Sequence, residues 1–276
     1  MRSKQNVGFQ DKITIYSSKI RILSWKPRVF LYKQFLTSEE CNHLIDLAKD
    51  RLEESRVIIS EGKIVKNNFR TSSQAWIPRN HDIIVSGIER KISKWSMLPP
   101  DHGEQLQVLK YEVGGQFKPH YDHIPNVQSD QRGGPRVATI IIFLSNVTKG
   151  GETAFPYGKS SAKFDDSWSE CGKSGLGIKP RRGDALLFYT LDPAGRQDTF
   201  SLHAGCPVLE GTKWSATKWL HMHPFDVPNL DILEDFDPDC AIWAKSGECE
   251  RNPEVMVGNA KNIGLCQKSC KLLKYI

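Results

Sequence analysis

The sequence predicts a mainly β protein with flanking helices (α+β): a double-stranded β-helix, or jelly roll, followed by a small disulfide-stapled C-terminal module. Three observations carry that prediction. From residue 105 onward, short apolar runs (Leu106–Val113, Val137–Leu144, Ala185–Tyr189 and Ser215–Met222) are divided by glycine and proline, the pattern of a sandwich or barrel. Two stretches with helical periodicity precede them. Four of the seven cysteines (Cys240, Cys249, Cys266 and Cys270) crowd into the last 37 residues.

Taken in order, residues 1–25 show little periodicity and are expected to form an irregular lead-in. A strand over residues 28–32 then leads to Thr37. The run Thr37-Ser38-Glu39-Glu40 fits a capping box, and Cys41, Leu44, Ile45 and Leu47 follow at helical spacing. Residues 55–78 alternate and contain Gly62 and paired asparagines, so strands around a mobile loop are expected. Asp82 to Leu98 reads as a second amphipathic helix, with Ile84, Ile88, Ile92 and Trp95 on its buried side. The β-rich domain is expected over residues 26–223. Residues 224–238, rich in Pro and Asp, read as a linker, and residues 239–273 as the cysteine module. No internal repeat is present.

Composition narrows the function classes. Charged residues make up 25% and hydrophobic ones 39%, as in ordinary globular chains. The net charge of +6 favours acidic partners only mildly, and no block of five basic residues occurs, so nucleic acid is not an expected partner. No apolar run reaches the ~18–20 residues that cross a bilayer. The first residues, Met1-Arg2-Ser3-Lys4-Gln5-Asn6, lack the apolar core of a signal peptide. That conflicts with the cysteine density, which is typical of secreted modules. Either a targeting segment is missing from this version of the chain, or the cysteines stay reduced or bind metal; the first reading is preferred.

The chemistry centres on His120-Tyr121-Asp122. Side chains two residues apart in a strand share a face, and a third ligand, with His203 the leading candidate, must come from elsewhere. Two imidazoles and a carboxylate on one side of an iron form the facial triad of non-haem Fe(II) oxygenases. Alone, H-x-D is weak evidence, and a polar pair in a loop is the preferred reading of it. Two neighbouring features tip the balance. Lys213, ten residues after His203, begins a strand-like run that would carry it inward, where a buried ammonium needs an anionic partner such as the distal carboxylate of 2-oxoglutarate. Gly150-Gly151-Glu152-Thr153 reads as a tight turn feeding a hydroxyl toward the same region.

The run from Tyr111 through Gly114-Gly115-Gln116-Phe117-Lys118-Pro119 to His120-Tyr121-Asp122 resembles the metal-binding strand region of prolyl 4-hydroxylases. So do Arg136-Val137-Ala138-Thr139, Gly150-Gly151-Glu152-Thr153-Ala154-Phe155, and Ser201-Leu202-His203-Ala204-Gly205-Cys206-Pro207-Val208 through Gly211-Thr212-Lys213-Trp214 to Trp219. The resemblance runs from about Trp25 to the C-terminus and is closest to plant-type enzymes. It implies a 2-oxoglutarate-dependent dioxygenase that converts peptidyl proline to 4-hydroxyproline in proline-rich proteins, with Fe(2+), 2-oxoglutarate and L-ascorbate. On this resemblance His120, Asp122 and His203 ligate iron, and Lys213 pairs with 2-oxoglutarate, helped by Thr153 and Tyr111. Arg136 and Trp219 match positions near the iron and the peptide groove. Arg70 and Ser72 match a loop that folds over bound peptide, with a merely solvated loop as the less favoured alternative. Phe117 departs from the family, which often has a tyrosine there, and this puts a polar substrate contact in doubt. Trp76, Phe117 and Trp219 are groove walls for an extended polyproline II partner, or else core packing. A non-catalytic peptide-binding module and a dioxygenase for another substrate class are the rival functions.

The tail, with Asp239-Cys240, Gly247-Glu248-Cys249 and Cys266-Gln267-Lys268-Ser269-Cys270, resembles a ShK-toxin-like (ShKT) module whose first and last cysteines are absent; the last would fall at Leu273. Those two are partners in the family. The resemblance therefore implies Cys240–Cys266 and Cys249–Cys270, one of three pairings open to four cysteines. A zinc site is the rival, with poorly matching spacing. Cys171 and Cys206 are a further candidate bridge, and Cys41 a candidate buried free thiol. Family and cysteines together point to the lumen of the endoplasmic reticulum or Golgi, where the sequon Asn146-Val147-Thr148 would acquire meaning.

Overall fold

The structure, a computed structural model, describes residues 19–55, 57–58, 64–65, 69–123, 133–225, 234–258 and 264–273. The chain divides into two compact units, the first ending at Phe225 and the second taking up the chain from Asp226.

The first unit opens with β1 (Ile20–Trp25), β2 (Arg28–Tyr32), β3 (Glu53–Glu54), β4 (Val57–Ile58), β5 (Ile64–Val65) and β6 (Ser73–Ile77). It continues with β7 (Leu106–Tyr111), β8 (Phe117–His120), β9 (Arg136–Phe143), β10 (Lys149–Gly150) and β11 (Thr153–Phe155). It closes with β12 (Leu176–Ile178), β13 (Ala185–Tyr189), β14 (His203–Gly205), β15 (Val208–Glu210) and β16 (Lys213–His221). An eight-stranded sheet runs β1-β2-β13-β9-β16-β7-β6-β3, and a four-stranded sheet runs β12-β11-β14-β8, in the manner of a jelly roll. Among the described residues, no helix is long and apolar enough to cross a membrane.

Period-two alternation gives the central strands two different tasks. On β9, Ala138, Ile140 and Ile142 belong to one core with Leu44, Val85, Ile88 and Ile92 of the helices. Phe143, on the alternate row at the end of the strand, belongs to a second core with Val29, Phe155, Leu186 and Phe188. On β16, Ala216 and Leu220 join the helix-side core, whereas Lys213, Ser215, Thr217 and Trp219 line a cavity. Leu109 and Tyr111 of β7 line the same cavity. Strand alternation thus aims one row of side chains at structure and the other at chemistry.

Thr37 caps the Ser38–Lys49 helix with both halves of the capping box: Glu40 N–H donates to Thr37 Oγ1 at 3.2 Å and Thr37 N–H donates to Glu40 Oε2 at 2.9 Å. Asp82 caps the Ile83–Ser96 helix through the Ile84 and Val85 amides. The buried face of that helix differs from the one expected. Val85, Ile88, Glu89, Ile92 and Ser96 are buried, Trp95 is half-buried and Ile84 is exposed. Successive steps of four drift around a 3.6-residue helix, which leaves Ile84 about 90° from the centre of the buried arc. Glu89 lies inside that arc and forms a buried ion pair with Lys218 of β16 at 2.6 Å.

Two further expectations need correction. The lead-in is not irregular throughout, because Ile20–Trp25 forms an edge strand paired antiparallel with β2. Its half-buried, irregular pattern hid it from periodicity. The loop expected around Gly62 lies outside the described residues; on either side of it, β4 pairs with β5.

A disulfide joins Cys171, in the Glu170–Lys173 helix, to Cys206 just after β14. Cys41 is free and buried, and burial pushes its thiol pKa up. The second unit holds short helices at Cys240–Lys245, Glu248–Arg251, Pro253–Met256 and Gln267–Leu272, with disulfides Cys240–Cys266 and Cys249–Cys270. With Ala244 and Met256, these cysteines make up most of its small core. Part of the expected linker belongs to this unit. Asp235 accepts from the Ser269 amide at 3.0 Å and hydroxyl at 2.6 Å, and Phe236 N–H donates to Leu265 O.

Candidate functional site

Antiparallel pairing of β8 with β14 sets His120 directly opposite His203, with ring centroids 4.3 Å apart. Asp122 follows His120 in a bend after the strand has ended, so the expectation that both lie within one strand is corrected. The bend still brings the carboxylate to both rings. His120 Nε2 lies 3.5 Å from Asp122 Oδ1, and His203 Nε2 lies 3.6 Å from Oδ2. The three potential donor atoms fall within 4.8 Å of one another.

Each ring is oriented from behind. His120 Nδ1 sits 2.8 Å from Lys118 O and His203 Nδ1 sits 2.9 Å from Ser201 O. A carbonyl can only accept, so Nδ1 carries the hydrogen and Nε2 keeps its lone pair for a metal. Thr139 Oγ1 donates to Asp122 Oδ2 at 2.6 Å. Burial pushes the Asp122 pKa up, but His203, His120 and Arg136 outweigh it and hold the carboxyl well below its usual range. Burial, with His120 adding to it, pushes His203 down to about 4 against the pull of Asp122 and the Ser201 carbonyl. At neutral pH His203 is therefore a neutral imidazole and Asp122 an anion, the protonation states of metal ligands.

Lys213 opens β16 and pairs across the ladder with Tyr111 of β7. It is 4% exposed, its Nζ lying 5.5 Å from the Tyr111 ring centroid and 5.8 Å from that of Phe143. Burial pushes its pKa down to about 8, partly opposed by Glu152. A buried cation facing a cavity is a seat for an anion.

One cavity gathers most of the residues expected from sequence: His120, Asp122, His203, Lys213, Tyr111, Thr153, Phe117, Arg70 and Trp219. Ser72 is not among them. It lines a neighbouring cavity with Arg70, and its hydroxyl lies 2.7 Å from that of Ser55. Arg136 does not line the cavity either; it stacks over the Trp219 ring at 4.0 Å and donates to Glu104 Oε1 at 2.6 Å. Arg70 is 8% exposed, donates to Gln107 and lies over the Phe117 ring at 4.7 Å, so a solvated loop does not describe it. Phe117 stacks on the His120 ring at 3.5 Å, an apolar contact that needs no hydroxyl. Trp76 is 36% exposed and its ring centroid lies 6.0 Å from that of Trp219. Arg70 Nε and Trp219 Nε1 are buried donors without a partner among the described residues.

Sequence reasoning missed Thr139 as part of this site, along with the liners Leu109, Ile141, Gly205, Ser215 and Thr217. Thr139 had a signal: it is the polar residue inside the apolar run Val137–Leu144, and a buried hydroxyl requires a partner.

Comparison with known proteins places this geometry. The 2OG-Fe(II) oxygenase superfamily model matches residues 106–221. The Arabidopsis thaliana protein named "Probable prolyl 4-hydroxylase 6" is 48% identical over 258 residues, covering 92% of this chain and 89% of its own. Prolyl 4-hydroxylase 2 of the same plant is 46% identical over 265 residues, covering 93% and 89%. The crystal structure of the viral collagen prolyl hydroxylase of Paramecium bursaria Chlorella virus-1, a 2OG complex, aligns with a TM-score of 0.51 and 25% identity over 69% of this chain and 94% of that one.

Proposed function

The chain belongs to the prolyl 4-hydroxylases, and from that membership we propose that it oxidises prolyl residues of extended, proline-rich peptides to 4-hydroxyproline, using Fe(II), dioxygen and 2-oxoglutarate. The observation that carries this reading is one cavity holding two imidazoles and a carboxylate at one side and a buried ammonium at another.

The residues present fit both groups. Nε2 of His120 and of His203 and the Asp122 carboxylate form a nitrogen and oxygen donor set suited to Fe(II). Lys213 fits the far carboxylate of 2-oxoglutarate, with Tyr111 and Thr153 beside it. When bound, this pair supplies the oxidation of a proline C4–H bond by dioxygen, with 2-oxoglutarate leaving as succinate and carbon dioxide.

The chain's own share is orientation and exclusion of water. Lys118 O, Ser201 O and Thr139 Oγ1 fix the ligands, while Leu109, Ile141 and Phe117 present apolar surface to the cavity. A polyproline II segment is extended and lacks internal hydrogen bonds, so its carbonyls are free to accept. Trp219 Nε1 and Arg70 Nε, without a partner among the described residues, are donors of the kind such carbonyls need, and the half-exposed Trp76 offers an aromatic face. Ascorbate belongs to the proposal as a reductant for iron oxidised in unproductive cycles.

Incubating the protein with Fe(II), 2-oxoglutarate, ascorbate and a proline-rich peptide is expected to yield succinate in proportion to peptide, with one added oxygen on a proline by mass spectrometry. His203→Ala abolishes both products. Peptide binding without turnover in iron-loaded protein favours a non-catalytic binding module instead.

We further read the second unit as ShKT-like and assign the chain to the lumen of the endoplasmic reticulum or Golgi. Three disulfides support the location, as does the exposed Asn146 of the sequon. A mobility shift on glycosidase treatment of protein made in eukaryotic cells, lost in Asn146→Gln, is the expected result.

A further inference from the structure

Arg70 is a buried cation on the cavity wall, and β8 sets its backbone: Thr71 N–H donates to Gln116 O and Lys118 N–H donates to Phe69 O, both at 2.9 Å. Its side chain lies over the Phe117 ring and reaches β7, where Nη2 donates to Gln107 Oε1 at 2.8 Å. Gln107 does not act alone. Its Nε2 donates to Gln74 Oε1 of β6 at 2.8 Å, and Gln74 Nε2 donates to Glu53 Oε1 of β3 at 3.2 Å. Gln107 and Gln74 are 2% and 5% exposed, whereas Glu53 lies on the exposed edge strand of the sheet.

Strand register explains why these side chains meet. Gln107 stands opposite Trp76 on one side and opposite Thr217, a liner of the cavity, on the other. Gln74 stands opposite Glu53 and shares a face with Trp76, two residues along β6. The row therefore crosses three strands on the cavity face of the sheet, from its exposed edge toward Arg70. Neither glutamine lines the cavity itself.

The polarity of the row is fixed from both ends. A guanidinium only donates and a carboxylate only accepts, so each amide turns its oxygen toward Arg70 and its nitrogen toward Glu53. Reversing one amide would oppose like groups on both its sides and leave buried polar atoms unsatisfied. Arg70 is thereby held with Nη2 occupied, while Nε has no partner among the described residues.

We infer that Gln74, with Glu53, is a positioning residue for peptide recognition: by fixing the Gln107 amide it holds the Arg70 guanidinium on the cavity wall and leaves Nε for a peptide carbonyl. The inference rests on the reading of Arg70 as a peptide contact.

The test is steady-state turnover of a synthetic oligoproline by full-length, iron-loaded protein, with melting and the KM for 2-oxoglutarate measured alongside. Gln74→Met keeps the length of the side chain and removes both its hydrogen bonds. It is expected to raise the oligoproline KM about three- to tenfold, with kcat and the KM for 2-oxoglutarate unchanged. Gln74→Glu raises it likewise, by placing two carboxylates opposite each other on paired strands. Gln74→Glu combined with Glu53→Gln exchanges donor and acceptor in the last link and still accepts from Gln107, so the KM returns close to wild type. Lower melting with no selective rise in that KM, and no rescue by the exchange, overturns the inference. Glu53→Leu, on the exposed edge, is expected to raise the KM about two- to threefold and decides the matter where the Gln74 variants do not fold, an unchanged KM being the refuting result. Arg70→Gln is expected to raise the KM at least as far as Gln74→Met. A KM raised by Arg70→Gln but unmoved by the Gln74 variants overturns the role of Gln74 alone. A KM unmoved by Arg70→Gln overturns the reading of Arg70, and this inference with it.

Discussion

Thr139→Val removes one oxygen from the candidate metal site and almost no volume. Thr139 is fully buried, and its hydroxyl donates to Asp122 Oδ2 at 2.6 Å, the short distance of a charge-assisted hydrogen bond. Hydrogen bonds to charged groups contribute about 1.5–3 kcal/mol. At about 1.4 kcal/mol per decade this becomes a loss of about ten- to a hundredfold in metal affinity, the range typical for partners of metal ligands. The loss arises because Asp122 lies in a bend rather than in a strand, so the backbone alone does little to restrain its χ angles. Competition of Co(II) between the protein and a chromophoric chelator at neutral pH measures the affinity, and melting of the EDTA-treated proteins checks the fold. Thr139→Ser returns close to wild type. If Thr139→Val holds Co(II) within twofold of wild type while remaining folded, the carboxylate is oriented by something other than this hydroxyl and the argument is refuted.

Other predictions concern stability. Lys218→Met strands Glu89 in the core and is expected to cost about 3–5 kcal/mol, or about 10 °C in Tm, whereas Lys218→Met with Glu89→Leu recovers most of the loss; equal melting of single and double variants would count against it. Lys213 titrates at about 8 when folded against 10.5 ordinarily, so the folded state carries the cost of a buried charge fully below pH 8 and sheds it between about pH 8 and 10.5. Metal-free Lys213→Met should therefore melt above wild type at pH 7, by up to about 3 kcal/mol, with the gap closing toward pH 10; a gap independent of pH contradicts the assignment. Replacing Cys171 and Cys206 by serine removes a bridge spanning 35 residues and is expected to destabilise by up to about 4 kcal/mol in urea, with an unchanged midpoint as the refuting result.

The meeting of His120, Asp122, His203 and Lys213 in one cavity was legible because the chemistry expected of them demands particular residue types in a fixed order along the chain. The capping box at Thr37 was legible because it is a local device, complete within four residues. What escaped notice depends on partners distant in sequence. Glu152 meets Ser169 across 17 residues, and Lys218 meets Glu89 across 129. Lys218 sits at a position that alternation assigns to the apolar row, and only the packed helix reveals why a cation is tolerated there. Ile84 was misplaced because steps of four approximate a helical face only over a turn or two. β1 was missed because an edge strand, half wet on both faces, carries no clean alternation.

The two-faced central strands bear on how this chain tolerates insertion and deletion. Removing one codon near the start of β16, with Lys213 held in register, would turn Thr217 and Trp219 toward the helices and present Ala216, Lys218 and Leu220 to the cavity, undoing the apolar interior and the site wall in one event. Removing two codons restores the parity of the faces and leaves a shortened strand to find its ladder. Length variants of this protein are thus expected to survive in β16 in even steps, while its loops accept either parity.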